Sequence, residues 1–359
     1  MKFGMLHLFE NPAGKSEHQV LKEEMSLMRG AEDLGFDSIW ASEHHFSEYG
    51  FCASPALTLA ALAPVTKTIR LGTGVTVLPF NHPVRIAEEI ALLDLISDGR
   101  VDFGVGRGFQ PTEYRGFHID QSHSHEIFDE ALDIILQAWT QQKLSYPGKH
   151  FKFEVDQVMP KPLQKPHPPV WVAAVSADSF GAAGKRGLNL LCAPVFGFYG
   201  NAATQMIKRY HDGLRLSPHP SAPRDIGALC MVYCAETEEQ ARREFTGPVL
   251  WTYRTLAKYI APPPGHHAAE GYELYEQLRS ICSAVNWEDL KAVGAVICGD
   301  RDSCIEQISA LKERLGCTQL LCWTRMGGLE SARVTQSMEL ISKHVIPHFK
   351  ADEEAGAKS

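Results

Sequence analysis

Short β-rich runs alternate with longer amphipathic runs along nearly the whole chain, and this alternation limits the fold more than any other sequence feature. Strands are expected at Lys2–Leu8, Ser38–Ala41, Arg70–Leu78, Val101–Val105, Val170–Val175, Leu188–Ala193, Ile226–Cys234 and Gln319–Thr324. Helices are expected at Val20–Leu34, Ala56–Val65, Val84–Ile96, His125–Gln142, Ala177–Lys185, Ala202–Leu214, Cys304–Leu315 and Ser331–His344. In Val84–Ile96 the apolar residues Ile86, Ile90, Leu93 and Ile96 recur at spacings of three and four, which places them on one helix face. Most strands are continuous apolar runs, as expected of a parallel sheet covered on both sides. The pattern is α/β with right-handed crossovers. Eight strand–helix pairs match a closed barrel; an open doubly wound sheet accommodates the same alternation.

A chain of 359 residues suits a single barrel with insertions, since that fold typically runs ~250 residues and often beyond. One domain over residues 1–349 is expected, followed by a flexible tail at 350–359. Two stretches break the rhythm. The first, at about 144–169, begins as a hairpin over Leu144–Val155 and continues into a connector with five prolines between Pro160 and Pro169. The second, at about 261–289, opens with Pro262-Pro263-Pro264-Gly265; long insertions in compact domains tend to be lids or binding loops. The net charge is −8 and the basic residues are scattered, which speaks against a nucleic-acid partner. The nine cysteines are irregularly spaced, several inside apolar runs, as small core residues in a reducing compartment would be. Cys230 and Cys234 could share a strand face, but two thiols lack the further ligands of a zinc site. No run approaches the ~20 apolar residues of a spanning helix, and the N-terminus reads as a strand and not as a signal peptide. A cytoplasmic enzyme with no membrane partner is expected.

Barrel enzymes carry their chemistry at the C-terminal ends of the strands. Strand two ends in Ser42-Glu43-His44-His45-Phe46, where only one imidazole can face the mouth; it could act as acid, base or donor, or be an idle loop residue. No metal is expected there, because the pair lacks helical ligand spacing and a third ligand. Strand three carries Gly72-Thr73-Gly74-Val75, marking strand curvature or a close backbone approach. Strand four leads into Gly104-Val105-Gly106-Arg107-Gly108, one residue short of the dinucleotide fingerprint; Arg107 is placed for a phosphate contact or for a surface salt bridge. Strand five ends in Val175-Ser176-Ala177-Asp178-Ser179, an anion site at a helix start or simply a capped helix. Gly327-Gly328 after strand eight again permits a close approach. A phosphorylated planar cofactor fits this set.

Lys2-Phe3-Gly4, Glu43-His44-His45-Phe46, Leu78-Pro79, His82-Pro83-Val84-Arg85, Ser97-Asp98-Gly99-Arg100 and Gly104-Val105-Gly106-Arg107-Gly108, in this order, resemble the bacterial luciferase-like flavin-dependent monooxygenases, the luciferase α subunit in particular. The resemblance is firm over about the first 200 residues and looser to Pro347-His348-Phe349. It implies a luciferase-like (β/α)₈ TIM barrel. It also implies a monooxygenase that takes reduced FMN from a separate flavin reductase and reacts it with O₂, by way of a flavin (hydro)peroxide, to oxygenate a small organic substrate such as an aldehyde or ketone. By the same resemblance His44 is the catalytic histidine, with Glu43 or a neighbour tuning it. Gly74 and Val75 form a non-prolyl cis peptide beneath the flavin ring, and Arg107, Ser176 and Ser179 hold the phosphate. Gly106, Gly108, His125, Val175 and Ala177 complete the cofactor set, the 261–289 insertion is a lid, and the chain forms a homodimer through helices of the outer ring. Three positions depart from luciferase: Gly106 replaces a cysteine, Val175 an acidic residue and His125 a phosphate-binding arginine. Oxygenation without useful luminescence is therefore expected. The alternatives are F420-dependent hydride transfer on the same fold and a non-catalytic flavin-binding relative.

Overall fold

The computed structural model describes residues 1–12, 14–194, 201–262 and 267–356. Its twelve strands are β1 (Lys2–His7), β2 (Ser38–Ala41), β3 (Arg70–Thr73), β4 (Thr76–Val77), β5 (Val101–Gly106), β6 (Leu144–Pro147), β7 (Lys152–Val155), β8 (Val170–Ala174), β9 (Asn189–Cys192), β10 (Ile226–Cys234), β11 (Val296–Gly299) and β12 (Gln319–Trp323). Parallel pairing runs β10–β12–β1–β2–β3–β5–β8–β9, and β9 pairs back onto β10, with Ile226 opposite Leu190 and Ala228 opposite Cys192. That last pairing closes the cylinder and excludes the open sheet. Ile39, Leu71, Val101, Phe103, Val105 and Leu190 are fully buried, as strands covered on both faces must be.

The interruption between β3 and β4 corrects the expectation of one strand over Arg70–Leu78. The Gly74–Val75 peptide is cis, as the resemblance implied. The two glycines of this stretch do different jobs. A Cβ on Gly72 would lie 2.2 Å from the Trp40 indole, so Gly72 makes room for a core side chain, whereas Gly74 borders the barrel mouth. The Ser97–Arg100 segment is structural. Arg100 donates to the carbonyls of Ser97 (2.7 Å), Ile69 (2.9 Å) and Ala63 (2.8 Å), tying the connection before β5 to the one before β3 at the bottom of the barrel.

Four further elements differ from expectation. β11 pairs with the far half of β10, Met231 opposite Val296; its four apolar residues between glycines were too short to distinguish from loop. The helix Glu238–Tyr259 runs through Pro248, a residue that on sequence grounds argues for a break. Gly327, with φ +53° and a hypothetical Cβ 2.3 Å from the Pro248 backbone, makes its close approach to that helix and not to a ligand. Finally, the helix Ile346–Gly356 continues through most of the expected flexible tail, after a π turn at Ile341–Val345. The hairpin forms as expected, with Leu144 opposite Val155.

Gly104 is the tightest point of the barrel wall: a Cβ there would sit 2.0 Å from the Thr73 carbonyl oxygen, an atom that cannot move without breaking β3. Gly104→Ala should destabilise the fold by about 3 kcal/mol or more. Urea unfolding checks this, and a midpoint equal to the parent's would contradict the packing described.

Candidate functional site

A cavity of about 170 Å³ opens where β1, β2, β4, β5, β8 and β12 end. Its apolar part is formed by Leu6, Leu8, Leu229 and Trp323, and Gly74, Val75 and Gly106 supply a side wall. A second cavity, of about 200 Å³, shares Arg107, Ala173 and Ser179 with the first and extends past Ser176 to His125 and Arg186. The two form one cleft, apolar over the barrel axis and polar at the start of the helix Ala177–Lys185.

The wall exists because the β3–β4 interruption is held from strand two. The Gly74 N–H donates to the Ala41 carbonyl (2.8 Å), Ser42 Oγ donates to the Gly74 carbonyl, and the Glu43 N–H donates to the Val75 carbonyl (3.2 Å). Gly106 completes it, since a Cβ there would lie 2.8 Å from Val75 Cγ2. Glycine at 106 thus leaves the space that the Val75 side chain takes up.

His44 and His45 diverge. His44 lines the cavity, edge-on to Tyr49 and Phe109, while His45 packs among Phe46, Phe80 and Phe117. The Glu43 carboxylate lies against the Val77 N–H (2.7 Å), Asn81 Nδ2 (3.0 Å) and His45 Nε2 (3.2 Å), and so braces β4 and His45. The carboxylate beside His44 is instead Glu113, at 3.0 Å from Nδ1, and the same oxygen accepts the His45 N–H at 2.8 Å. Sequence reasoning missed Glu113 because it saw no helix after Phe109-Gln110-Pro111. The short helix Pro111–Gly116 carries a signal that was available: proline at the start and an acidic residue in the first turn.

At the polar end Ser176 is both a helix cap and a cavity residue. Its Oγ accepts the Ser179 N–H (3.3 Å), and Ser179 Oγ accepts the N–H groups of Val175 (3.2 Å) and Ser176 (3.0 Å). Arg107 lies over the Tyr272 ring at 5.2 Å and, among the described residues, pairs with no carboxylate. Gly108, with φ +74°, and Val175 border the first cavity. His125 borders the second, but its imidazole faces Asp129 at 3.2 Å and is largely exposed. Ala177 begins the helix and lines neither cavity.

The second insertion supplies two aromatic residues that the sequence did not single out. Tyr272 Oη donates to the Gly108 carbonyl (3.1 Å) and lies 3.0 Å from Ser124 Oγ, and Tyr275 stacks on Phe109 at 5.7 Å between centroids. Part of this insertion therefore sits on the loop after β5. Residues 263–266, which include most of the proline run, lie outside the described residues.

The Glu113 geometry has a direct consequence. Glu113→Ala leaves the partly buried His45 N–H without its acceptor and His44 Nδ1 with only Gln110 Nε2 at 3.3 Å, and should cost about 1–3 kcal/mol of stability. Glu113→Gln keeps an acceptor oxygen and should retain most of it. Denaturation curves that show equal losses for both variants would disprove the acceptor role.

The family model for luciferase-like monooxygenases matches residues 1–319. The chain is 27% identical over 361 residues to the alkanal monooxygenase alpha chain of the Kryptophanaron alfredi symbiont, covering 98% of this chain and 99% of that one. It is 30% identical over 245 residues to the oxygenase component of the flavin-dependent trigonelline monooxygenase of Acinetobacter baylyi, covering 67% of each. The crystal structure of monooxygenase RslO1 from Streptomyces bottropensis superposes with a TM-score of 0.84 at 26% identity, covering 97% of this chain and 100% of that one. With the closed cylinder, the interrupted third strand and the cleft at its rim, these matches place the chain in the luciferase-like monooxygenase family.

Proposed function

We propose that the chain is the oxygenase component of a two-component system. It takes reduced FMN from a separate flavin reductase and uses it with O₂ to oxygenate a small organic molecule, an aldehyde or ketone being the favoured class. One observation carries the reading. Two adjoining cavities bring together the Arg107 guanidinium, which meets no carboxylate among the described residues, a capped helix start, His44 and a glycine-lined wall.

The residues present fit the cofactor. Arg107 is a charged group at a cavity edge with no anionic partner among the described residues, and the N-terminal turn of Ala177–Lys185 adds Ser176 and Ser179, a combination suited to a phosphate. The wall at Gly74, Val75 and Gly106 has the small profile that a flat ring needs. When bound, reduced FMN supplies the electrons that activate O₂. His44 then has a proton to hold or move at Nε2, because Nδ1 is engaged by Glu113. Leu6, Leu229 and Trp323 favour an apolar substrate body and exclude water from the barrel end of the cleft. Tyr272 and Tyr275 act as a cover over the β5 loop.

The test is anaerobic binding of reduced FMN followed by stopped-flow mixing with oxygenated buffer. Oxygen uptake should precede the recovery of oxidised-flavin absorbance, and His44→Ala should lower the yield of oxygenated product per O₂ consumed. Arg107→Met should weaken flavin binding by about 10–100-fold, the equivalent of one charged hydrogen-bonded contact. Hydride transfer from reduced F420 with no oxygen uptake would move the chain to the alternative reading.

The favoured assembly is a homodimer. The neighbouring helices Pro55–Leu62 and Pro83–Ile96 leave Leu57, Leu92 and Ile96 about half or more exposed, an apolar surface that a second copy would cover. Light scattering should give twice the chain mass, falling to one chain mass in Leu92→Glu; a monomeric parent would refute it. Among the described residues no helix is long and apolar enough to cross a membrane, and all nine cysteines are free and buried, which suits the cytoplasm.

A further inference from the structure

A second group of potential ligands lies outside the cleft, where the β6–β7 hairpin meets the helix Ser124–Thr140. His123 immediately precedes that helix, Glu126 is in its first turn, and His150 lies in the hairpin turn. One ligand atom from each falls within 4.8 Å of the other two. His150 Nε2 is 2.8 Å, and His123 Nδ1 3.8 Å, from the same carboxylate oxygen, Glu126 Oε2. A tetrahedral metal with bonds of ~2.0–2.1 Å needs donors roughly 3.3–3.4 Å apart, and the two observed separations straddle that edge length. Side-chain adjustments of about half an ångström would close the site around an ion.

The arrangement is braced from behind. Glu130, one turn beyond Glu126, accepts the backbone N–H groups of Lys149 (2.7 Å), His150 (3.0 Å) and Phe151 (3.0 Å). The hairpin turn is thereby fixed to the helix, and His150 with it. Glu126 Oε2 accepts from Lys149 Nζ at 2.7 Å and lies 2.8 Å from His150 Nε2, so the carboxylate oxygen already faces both cationic and imidazole groups. The chain already stations a positive charge where a metal would bind, on a mostly exposed side chain free to swing away.

We propose that His123, Glu126 and His150 form a surface site for a first-row transition dication of the Zn²⁺ type, with Lys149 as a built-in competitor. Two imidazoles and one carboxylate are a borderline donor set, and the fourth position is left to water. An occupied site would staple the hairpin to the start of the helix whose Ser124 lies against Tyr272. The site is independent of the flavin reading, because none of its three ligands lines the cleft.

The test uses metal-free full-length protein titrated with Zn²⁺ by calorimetry and with Co²⁺ by visible absorption. The expected result is one saturable site with a tetrahedral Co²⁺ spectrum, lost in the His123→Ala/His150→Ala double variant. Lys149→Met should tighten binding, and Glu130→Gln, which loosens the brace, should weaken it by about tenfold. All of these residues are at or near the surface, and an unchanged melting temperature without metal confirms that the double variant folds. The proposal is overturned if neither metal binds, or if the double variant keeps the parent's stoichiometry and affinity.

Discussion

The whole rim depends on how the broken third strand is repaired. Interrupting a parallel strand inside a barrel strips its neighbours of ladder partners, and a buried amide or carbonyl left alone costs as much as a lost hydrogen bond. Strand two meets that demand. Ala41 and Ser42 take the two polar groups of Gly74, and Glu43 reaches across to the Val77 N–H where pairing resumes. With the repair in place, the backbone at Gly74–Val75 can leave the cylinder and present a flat face to the cleft. The Glu43-His44 step thus has a division of labour: the carboxylate holds the wall, and the imidazole next to it serves the cavity.

A buried ionic cluster fixes the rim at the ends of β1 and β12. Arg325, after β12, is almost wholly enclosed, with its guanidinium 3.0 Å from both Glu23 and Glu24 of the helix Glu17–Asp33. His7 at the end of β1 meets Glu24 at 2.7 Å. Such groups are costly to enclose singly and tolerable together, so they specify one seating of that helix against the strand ends. Glu10 sits beside them, and burial pushes its carboxyl up to about 8 although the Gly327 N–H and the Thr252 hydroxyl both favour the ion. The loop after β12 is held by these contacts and by the close approach of Gly327 to Pro248, which is why its glycines are structural.

Much of this was legible in the chain. The alternation of apolar runs identified all eight staves of the barrel to within a residue or two at most ends, because strands buried on both faces need continuous apolar sequence. The resemblance blocks led to His44, Arg107 and Ser179, which share one cleft. The helix that carries Glu113 had a readable start, but the role of Glu113 did not, because that role is a contact across 69 residues of sequence and no periodicity encodes it. Tyr272 and Tyr275 were hidden in an insertion whose contacts with Arg107 and Phe109 arise only on folding. Helix Glu238–Tyr259 was not among the expected elements; it carries Pro248 in its interior, beside the close approach of the Gly327 loop.

The sequence by itself determined an α/β chain of eight strand–helix pairs, because hydrophobic period is a local property written directly in the chain, and its resemblance blocks pointed to the barrel and to the kind of chemistry at the rim. Only the tertiary structure decided which carboxylate serves which imidazole, which glycine faces a ligand and which a neighbouring side chain, and that His123, Glu126 and His150 come together. Those are questions of which groups far apart in sequence meet in space, and they are answered by the closure of the cylinder and the packing of its insertions.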